Sequence, residues 1–411
     1  MARLPEDVST EILSRLPLKS LLRFKSACKT WRDLIQNPNF ISLHHNRSTK
    51  NDDCLLVKRF LSDDIRDSVF SLVSDEKAPV CDLVDLFSAT GANVWDLDLL
   101  GSCNGVVCIA SKSASNCKST ITLCNPSMRE IRLVPQPCYH TRPWTVLGFG
   151  FDSNANDYKV VRITTVYEFD IKPYEFLDPY AYDTGVIAPN IMPVDVKVEI
   201  YNMSSDCWRE IDTVVPRDFQ CSPHPNFCAS LNGVSYWLAY NYGYPCRKAI
   251  IGFRMSEELF EQIPLPQEIP LPSWFNLNLF ALSGSLAFVF IPNVWVSYRM
   301  SEASVFDIWV MDGYGVEGSW NKKYTIGPLF DGHLYPLLCR KNGELLLLRC
   351  RDKRMVSYDP ITGILMEYQG IRSAYCVWGL QVLPYTESLV SVKRRIDRDS
   401  FPSIQSPLKQ I

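Results

Sequence analysis

Between Leu4 and Ile35 apolar side chains recur at three- and four-residue intervals: Leu4, Val8, Ile12, Leu13 and Leu16, then Leu18, Leu21, Leu22, Cys28, Trp31, Leu34 and Ile35. That spacing places an apolar stripe on short helices, with a break at Pro17. Pro5 suits a first helical position, because its missing N–H has no partner there, and Glu6 and Asp7 complement the positive helix end. The pattern predicts a helix over 5–15, a second opened by Ser20 or a neighbour, and a third over 29–36 ended by Asn37-Pro38. Phe40, Ile41 and Leu43 extend an apolar face towards His44-His45. Roughly forty residues cannot bury so much apolar surface alone without disulfides or a metal, so a protein partner is implied.

Near residues 48–53 the pattern changes to short runs of β-branched and aromatic residues separated by Gly, Asn, Asp and Pro. A grammar of turn, strand, strand and strand then repeats: CNGVVCIA with ITLCNPSMREIRLVP, LGFGFDSNANDYKVVRI with VEIYNMSSDCWREI, and LNGVSYWLAY with AIIGFRMSEELFEQIPLP. LSGSLAFVF with DIWVMDGYGVEGSWNKKYTI, and KNGELLLLR with MVSYDPITGILMEYQG, continue it. Gly233, Gly284 and Gly343 lie 51 and 59 residues apart, and Gly105 lies 128 before Gly233, which fits two units plus an insertion. A period near 50 residues is that of a kelch-like propeller blade, whose strands bury an apolar face only against neighbouring blades. Residues 54–73 are expected to share a last blade with the C-terminal strands CVWGLQVLP and SLVSV, which would close a ring of six. The fold expected is therefore α+β multidomain: a helical head at 3–48, an all-β propeller at 53–392, and a basic, Pro-containing disordered tail at 393–411.

Composition and charge narrow the function. The chain is 46% hydrophobic and 21% charged with a net charge of −3, which gives no overall attraction to nucleic acid or membrane. The head differs: Arg3, Arg15, Lys19, Arg23, Lys25, Lys29 and Arg32 outnumber Glu6, Asp7 and Glu11 and suit an acidic partner. No apolar run approaches the roughly 20 residues of a membrane span. Met1-Ala2-Arg3 leads into a polar helix start where an export signal would need an apolar region. The fifteen scattered cysteines then read as reduced, mostly buried thiols of the cytosol or nucleus. The expected location is cytoplasmic, with Lys393-Arg394-Arg395 as a nuclear-import candidate.

The run Leu4-Pro5-x-Asp7, Ile12-Leu13-x-x-Leu16-Pro17-x-Lys19-Ser20-Leu21-x-Arg23-Phe24-Lys25 and Cys28-Lys29-x-Trp31 resembles an F-box. The resemblance implies a helical bundle that docks a Skp-type adaptor, and through it a cullin and a RING subunit. On the same ground Leu4, Pro5, Ile12, Leu13, Leu16, Pro17 and Leu21 would face the adaptor, with Trp31 there or in the head's core. The β region resembles the kelch-like F-box-associated interaction domain of plant F-box proteins through Cys103-Asn104-Gly105, Cys124-Asn125-Pro126-x-x-Arg129, Gly148-Phe149-Gly150-x-Asp152, Tyr158-Lys159-Val160-Val161 and Trp309-Val310-Met311. Within that family the chain looks closest to the S-locus F-box group, which implies a secreted pistil ribonuclease as target.

Candidate substrate contacts come from three aromatic stretches. The long segment 166–195 interrupts two strands and carries Tyr167, Tyr174, Tyr180 and Tyr182 among acids that include Asp178, Asp183 and Asp195, with Lys172 opposing them. Tyrosines supply rigid contact area, and the acids would steer a basic protein substrate. Tyr139 and Trp144 in CYHTRPWT, and Tyr242 and Tyr244 in YNYGYPCR, would join it if all three stretches share one rim. Neither a catalytic residue, a cofactor nor a metal site is read: the five histidines are few, adjacent His44 and His45 point to different faces of a helix, and no G-x-S-x-G or phosphate loop occurs. A propeller enzyme and an interaction protein outside ubiquitination are the alternatives to a substrate receptor.

Overall fold

The N-terminal stripe produces four helices: α1 (Glu6–Leu13), α2 (Leu18–Phe24), α3 (Lys29–Gln36) and α4 (Pro38–Ser48). The computed structural model describes residues 5–48, 54–64, 66–74, 80–84, 86, 93–111, 120–138, 144–166, 195–216, 219–221, 228–241, 248–266, 269, 277–291, 304–312, 320–373 and 380–393. Pro5 stands at the N-cap of α1, and the helix is shorter than the expected 5–15. α2 opens behind Pro17 and not at Ser20, since Pro17 holds the ψ of 145° that an N-cap needs. α3 has its predicted limits, but Cys28 belongs to no apolar stripe: it is exposed and caps the helix, its Sγ accepting from the Trp31 N–H at 3.4 Å. Pro38 both ends α3 and starts α4, where its missing donor costs nothing.

Among the described residues twenty-five strands follow. Blade one takes β1 (Cys54–Phe60), β2 (Ser68–Val73) and β3 (Cys81–Asp82), and blade two takes β4 (Leu97–Cys103), β5 (Val106–Ser111), β6 (Ile121–Asn125) and β7 (Glu130–Leu133). Blade three is β8 (Trp144–Asp152), β9 (Asp157–Val166), β10 (Asp195–Asn202) and β11 (Cys207–Glu210). In blade four β12 (Phe219–Cys221) and β13 (Cys228–Leu231) both pair with β14 (Val234–Asn241), ahead of β15 (Lys248–Arg254) and β16 (Leu259–Pro264). Blade five is β17 (Leu277–Leu282), β18 (Ser285–Phe290), β19 (Ser304–Met311) and β20 (Trp320–Leu329); blade six is β21 (Leu334–Cys339), β22 (Leu345–Arg349), β23 (Arg354–Tyr358) and β24 (Leu365–Arg372). Finally β25 (Gln381–Tyr385) returns to blade one and pairs with β1 from Cys54↔Tyr385 to Lys58↔Gln381. All pairings are antiparallel, and the ring of six blades is closed by joining the two ends of the β region, as the pattern predicted.

The core lies between blades. Tyr236, Leu238 and Ile250 of blade four meet Leu277, Leu279 and Phe288 of blade five, and equivalent layers fill the other gaps. No blade buries such a face alone, which is why the strand pattern repeats. Among the described residues the buried Lys159 reaches Asp152 at 2.6 Å and Glu258 at 2.7 Å, joining blades three and four.

One end strand departs from expectation. Among the described residues Gln381–Tyr385 joins a sheet, whereas SLVSV forms no strand but an irregular strap over blade two. Its alternating apolar residues serve two partners at once: Leu389 enters the core of the head, while Val390 and Val392 pack between blades two and three. The cysteines also differ from expectation. Of the twelve described, all free thiols, Cys108, Cys124, Cys339 and Cys350 are buried, whereas Cys28, Cys81, Cys138 and Cys207 are exposed at a helix cap, at strand ends and in the β7–β8 connection.

Candidate functional site

Inner strands run in one sense around the ring, so each blade sends its first-to-second and third-to-fourth turns to the same rim. Asn104 and Gly105, Asn232 and Gly233, and Ser283 and Gly284 occupy such turns with positive φ, as tight hairpins require. The head sits on this proximal rim: Met128, in the β6–β7 turn, packs on the head's core, and the His45 side chain hydrogen-bonds Asn104. Second-to-third connections and blade-to-blade connections therefore gather on the opposite, distal rim.

The candidate stretches flank strand ends on that distal rim. Trp144 starts β8 opposite Thr165, Val166 ends β9 opposite Asp195, and Asn241 ends β14. Blades three and four thus bring the roots of the three segments to one side of the ring. Tyr139, Tyr167, Tyr174, Asp178, Tyr180, Tyr182, Asp183, Tyr242 and Tyr244 themselves lie outside the described residues. Beneath the roots the polar framework is fixed. Arg162 pairs with Glu199, which is fully buried, and Glu199 also accepts from the Cys138 N–H at 2.9 Å. Trp208 donates its indole N–H to the Pro135 carbonyl at 2.7 Å, so 135–138 is held against blade three. At the far root Asp195 meets Lys197 at 3.4 Å, and hydrogen bonds from Lys197 to Glu210 and Asp195 raise that lysine's pKa. Asp195 is therefore engaged within blade three.

Elsewhere on the rim the charges also satisfy one another. Arg349 spans Asp331, Asp352 and Glu367, and its hydrogen bonds, Asp352 first, hold it firmly protonated. Asp63 takes Arg372 at 2.7 Å and Lys353 at 3.4 Å, tying blade one to blade six. Between blades five and six Phe330 stands 82% exposed, and Leu61 and Leu133 are half exposed on the same rim. Sequence reasoning missed Phe330; its signal was an aromatic between the turn dipeptides Gly327-Pro328 and Asp331-Gly332. A cavity of ≈ 100 Å³ among the inner strands at the axis, lined by Gly101, Ser230, Phe280, Leu338 and Val382 among others, has room for a few waters and not for a peptide.

The head presents a second surface. Ile12 is 50% and Val8 39% exposed, one turn apart on α1, and Pro5 and Pro17 are exposed beside them. Leu16 is half-buried. Leu13 and Leu21, predicted for the same face, are instead 3% and 0% exposed in the head's own core with Leu18, Ile35 and Phe40. Leu4 lies outside the described residues, and Val8, absent from the predicted set, completes the exposed stripe. Trp31 divides its ring between solvent and Phe24, edge-on at 5.2 Å. His44 turns inward, its Nε2 at 3.0 Å from the Leu16 carbonyl, while His45 turns to the propeller.

Comparison with known proteins follows the same division. A family model described as F-box domain matches residues 1–43, and one described as F-box associated beta propeller domain matches residues 60–392. F-box protein At3g07870 of Arabidopsis thaliana is 27% identical over 88% of this chain and 86% of its own length. F-box protein CPR1 of Arabidopsis thaliana is 25% identical over 87% of this chain and 82% of its own. Among solved structures, the nidogen/laminin complex matches at 11% identity with a TM-score of 0.37, over 80% of this chain and 97% of that one, a likeness too low to carry an argument.

Proposed function

Because this chain belongs to the F-box proteins that carry an F-box associated beta propeller domain, we infer that it is the substrate-recognition subunit of a Skp–cullin–F-box E3 ubiquitin ligase. In this reading the head takes a Skp-type adaptor, and through it the cullin and RING subunits, while the propeller takes the protein to be modified. The chain itself performs no chemistry; it brings a target to an enzyme and acts in the cytosol. The observation that carries the reading is the division of labour in one chain: a solvent-facing apolar stripe, Val8 and Ile12, on the head, and a rim of loops on the propeller face turned away from it.

The target proposed is a basic protein held at the distal rim of blades three and four, by Trp144 and by the acidic, tyrosine-rich segment between β9 and β10. A secreted pistil ribonuclease, the target that the S-locus resemblance implies, is the first ligand to test.

The direct test is capture of adaptor and cullin by the full-length chain. Val8→Asp with Ile12→Asp places two charges in an apolar contact and is expected to weaken adaptor binding at least tenfold, with an unchanged circular dichroism spectrum. Undiminished affinity in that double variant would remove α1 from the adaptor surface; failure of the wild-type chain to capture either protein would remove the ligase reading altogether.

A further inference from the structure

The last described residues, 386–393, leave blade one at Tyr385 and cross the proximal rim of blade two beside the head. Two side chains of blade two grip them. Asn125, 0% exposed, donates through Nδ2 to the carbonyls of Ser388 at 2.9 Å and Val390 at 2.8 Å. Its Oδ1 accepts from the N–H groups of Ser127 and Met128 and from the Tyr385 hydroxyl. Glu130 accepts through Oε2 from the Ser391 hydroxyl at 2.6 Å and the Val392 N–H at 3.1 Å. Only a neutral amide can donate twice to the strap while accepting from the turn, so Asn125 suits this place as Asp does not.

The packing divides in the same way. Leu389 is 5% exposed among Leu13, Leu18, Leu21, Ile35 and Phe40 of the head, and Val392, fully buried, lies among Val106, Phe149 and Tyr201 of the propeller. Met128 of blade two touches the head's core from below. At Gly105 the strap comes so close that an added Cβ would lie 2.1 Å from the Ser388 Cβ. The head's core is therefore completed by the far end of the chain, although the covalent connection from α4 to β1 is residues 49–53.

We propose that the strap 386–393 is an interdomain clamp, with Asn125 and Glu130 as its positioning residues, that holds the head and the propeller as one rigid body. Its consequence for ubiquitin transfer rests on the function proposed above: the adaptor-bound machinery then keeps a fixed distance and angle to a target on the distal rim. The clamp itself is tested without either partner. In the full-length chain, Leu389→Ala and Asn125→Asp are each expected to speed hydrogen exchange in α1, α2 and α3 at least tenfold while exchange in blades three to six stays within twofold. Asn125→Asp keeps the accepted bonds of the turn and loses both bonds donated to the strap. Small-angle scattering of the same variants should show a longer maximum dimension, which a change confined to blade stability would not give. Unchanged exchange in the head of Leu389→Ala, or acceleration spread equally over all blades, overturns the proposal. Should Asn125→Asp fail to fold, Leu389→Ala and Glu130→Ala decide the matter by the same two measurements. If the wild-type chain captures no adaptor but these changes appear, the ligase reading falls and the clamp stands.

Discussion

At Gly105 and Gly343 the same requirement for positive φ, +78° and +91°, meets two different surroundings. Nothing lies within 4 Å of a Cβ built on Gly343, so Gly343→Ala is expected to cost only the left-handed backbone conformation, about 1 kcal/mol. A Cβ on Gly105 would also strike the Ser388 Cβ and approach the Thr386 carbonyl oxygen to 2.9 Å. Overpacking against strap backbone adds roughly 1–3 kcal/mol, so Gly105→Ala should destabilise by about 2–4 kcal/mol in all. Denaturant titration of the two variants side by side checks this, and equal losses would mean that the strap yields freely at that point. The turn at Gly105 was legible in the sequence because Asn-Gly between apolar runs marks a hairpin. The close approach of residue 388 was not, since no local pattern records which distant segment crosses a turn.

Elements show the same limit in a different form. Period-two runs ended by Gly, Asn and Pro located the blades, because every blade must bury both faces and turn sharply at the rims. SLVSV has that period as well, yet it is no strand: its two sides face two different domains. Likewise the helical spacing of Leu13 and Leu21 marks them as apolar without separating core from partner surface, a choice made by the packing of α3 and α4 against them. For the segment between β9 and β10, the strand ends set its rim and its charge sets a prediction. Asp195 is already matched by Lys197, so the informative acids are those within the insertion. Reversing Asp178 and Asp183 to Lys is expected to weaken binding of a basic target about tenfold and to flatten the dependence of affinity on salt. Titration calorimetry at several ionic strengths measures both, and unchanged affinity and slope would exclude the segment from the site.

Across the whole molecule, the number of blades and the meeting of the chain ends followed from repeat length and from the need to close the ring, whereas the seating of the head on one rim did not. That seating depends on few residues, and one of them titrates. His45, a half-buried residue of α4 facing the Asn104 turn, has its pKa lowered, first by burial and further by His44 and Lys341, against the hydrogen bond it donates to the Asn104 side chain. A histidine held below its ordinary value of about 6.5 stays neutral in the folded joint. The stability it contributes is complete above the unfolded value and is lost as pH falls below it towards the folded one. His333, just before β21, is pushed the same way by burial. The carboxylates Asp152, Glu258, Asp352 and Glu367 have lowered values and weaken the fold only at more acid pH, below the ordinary carboxylate range. Melting temperature should therefore fall between pH 7 and pH 5, and less steeply in His45→Gln, which keeps a hydrogen-bonding side chain without the charge. Superimposable pH profiles for the two proteins would show that the joint between head and propeller does not sense the His45 proton, and would leave His333, among the described histidines, as the one with a lowered pKa to account for the fall.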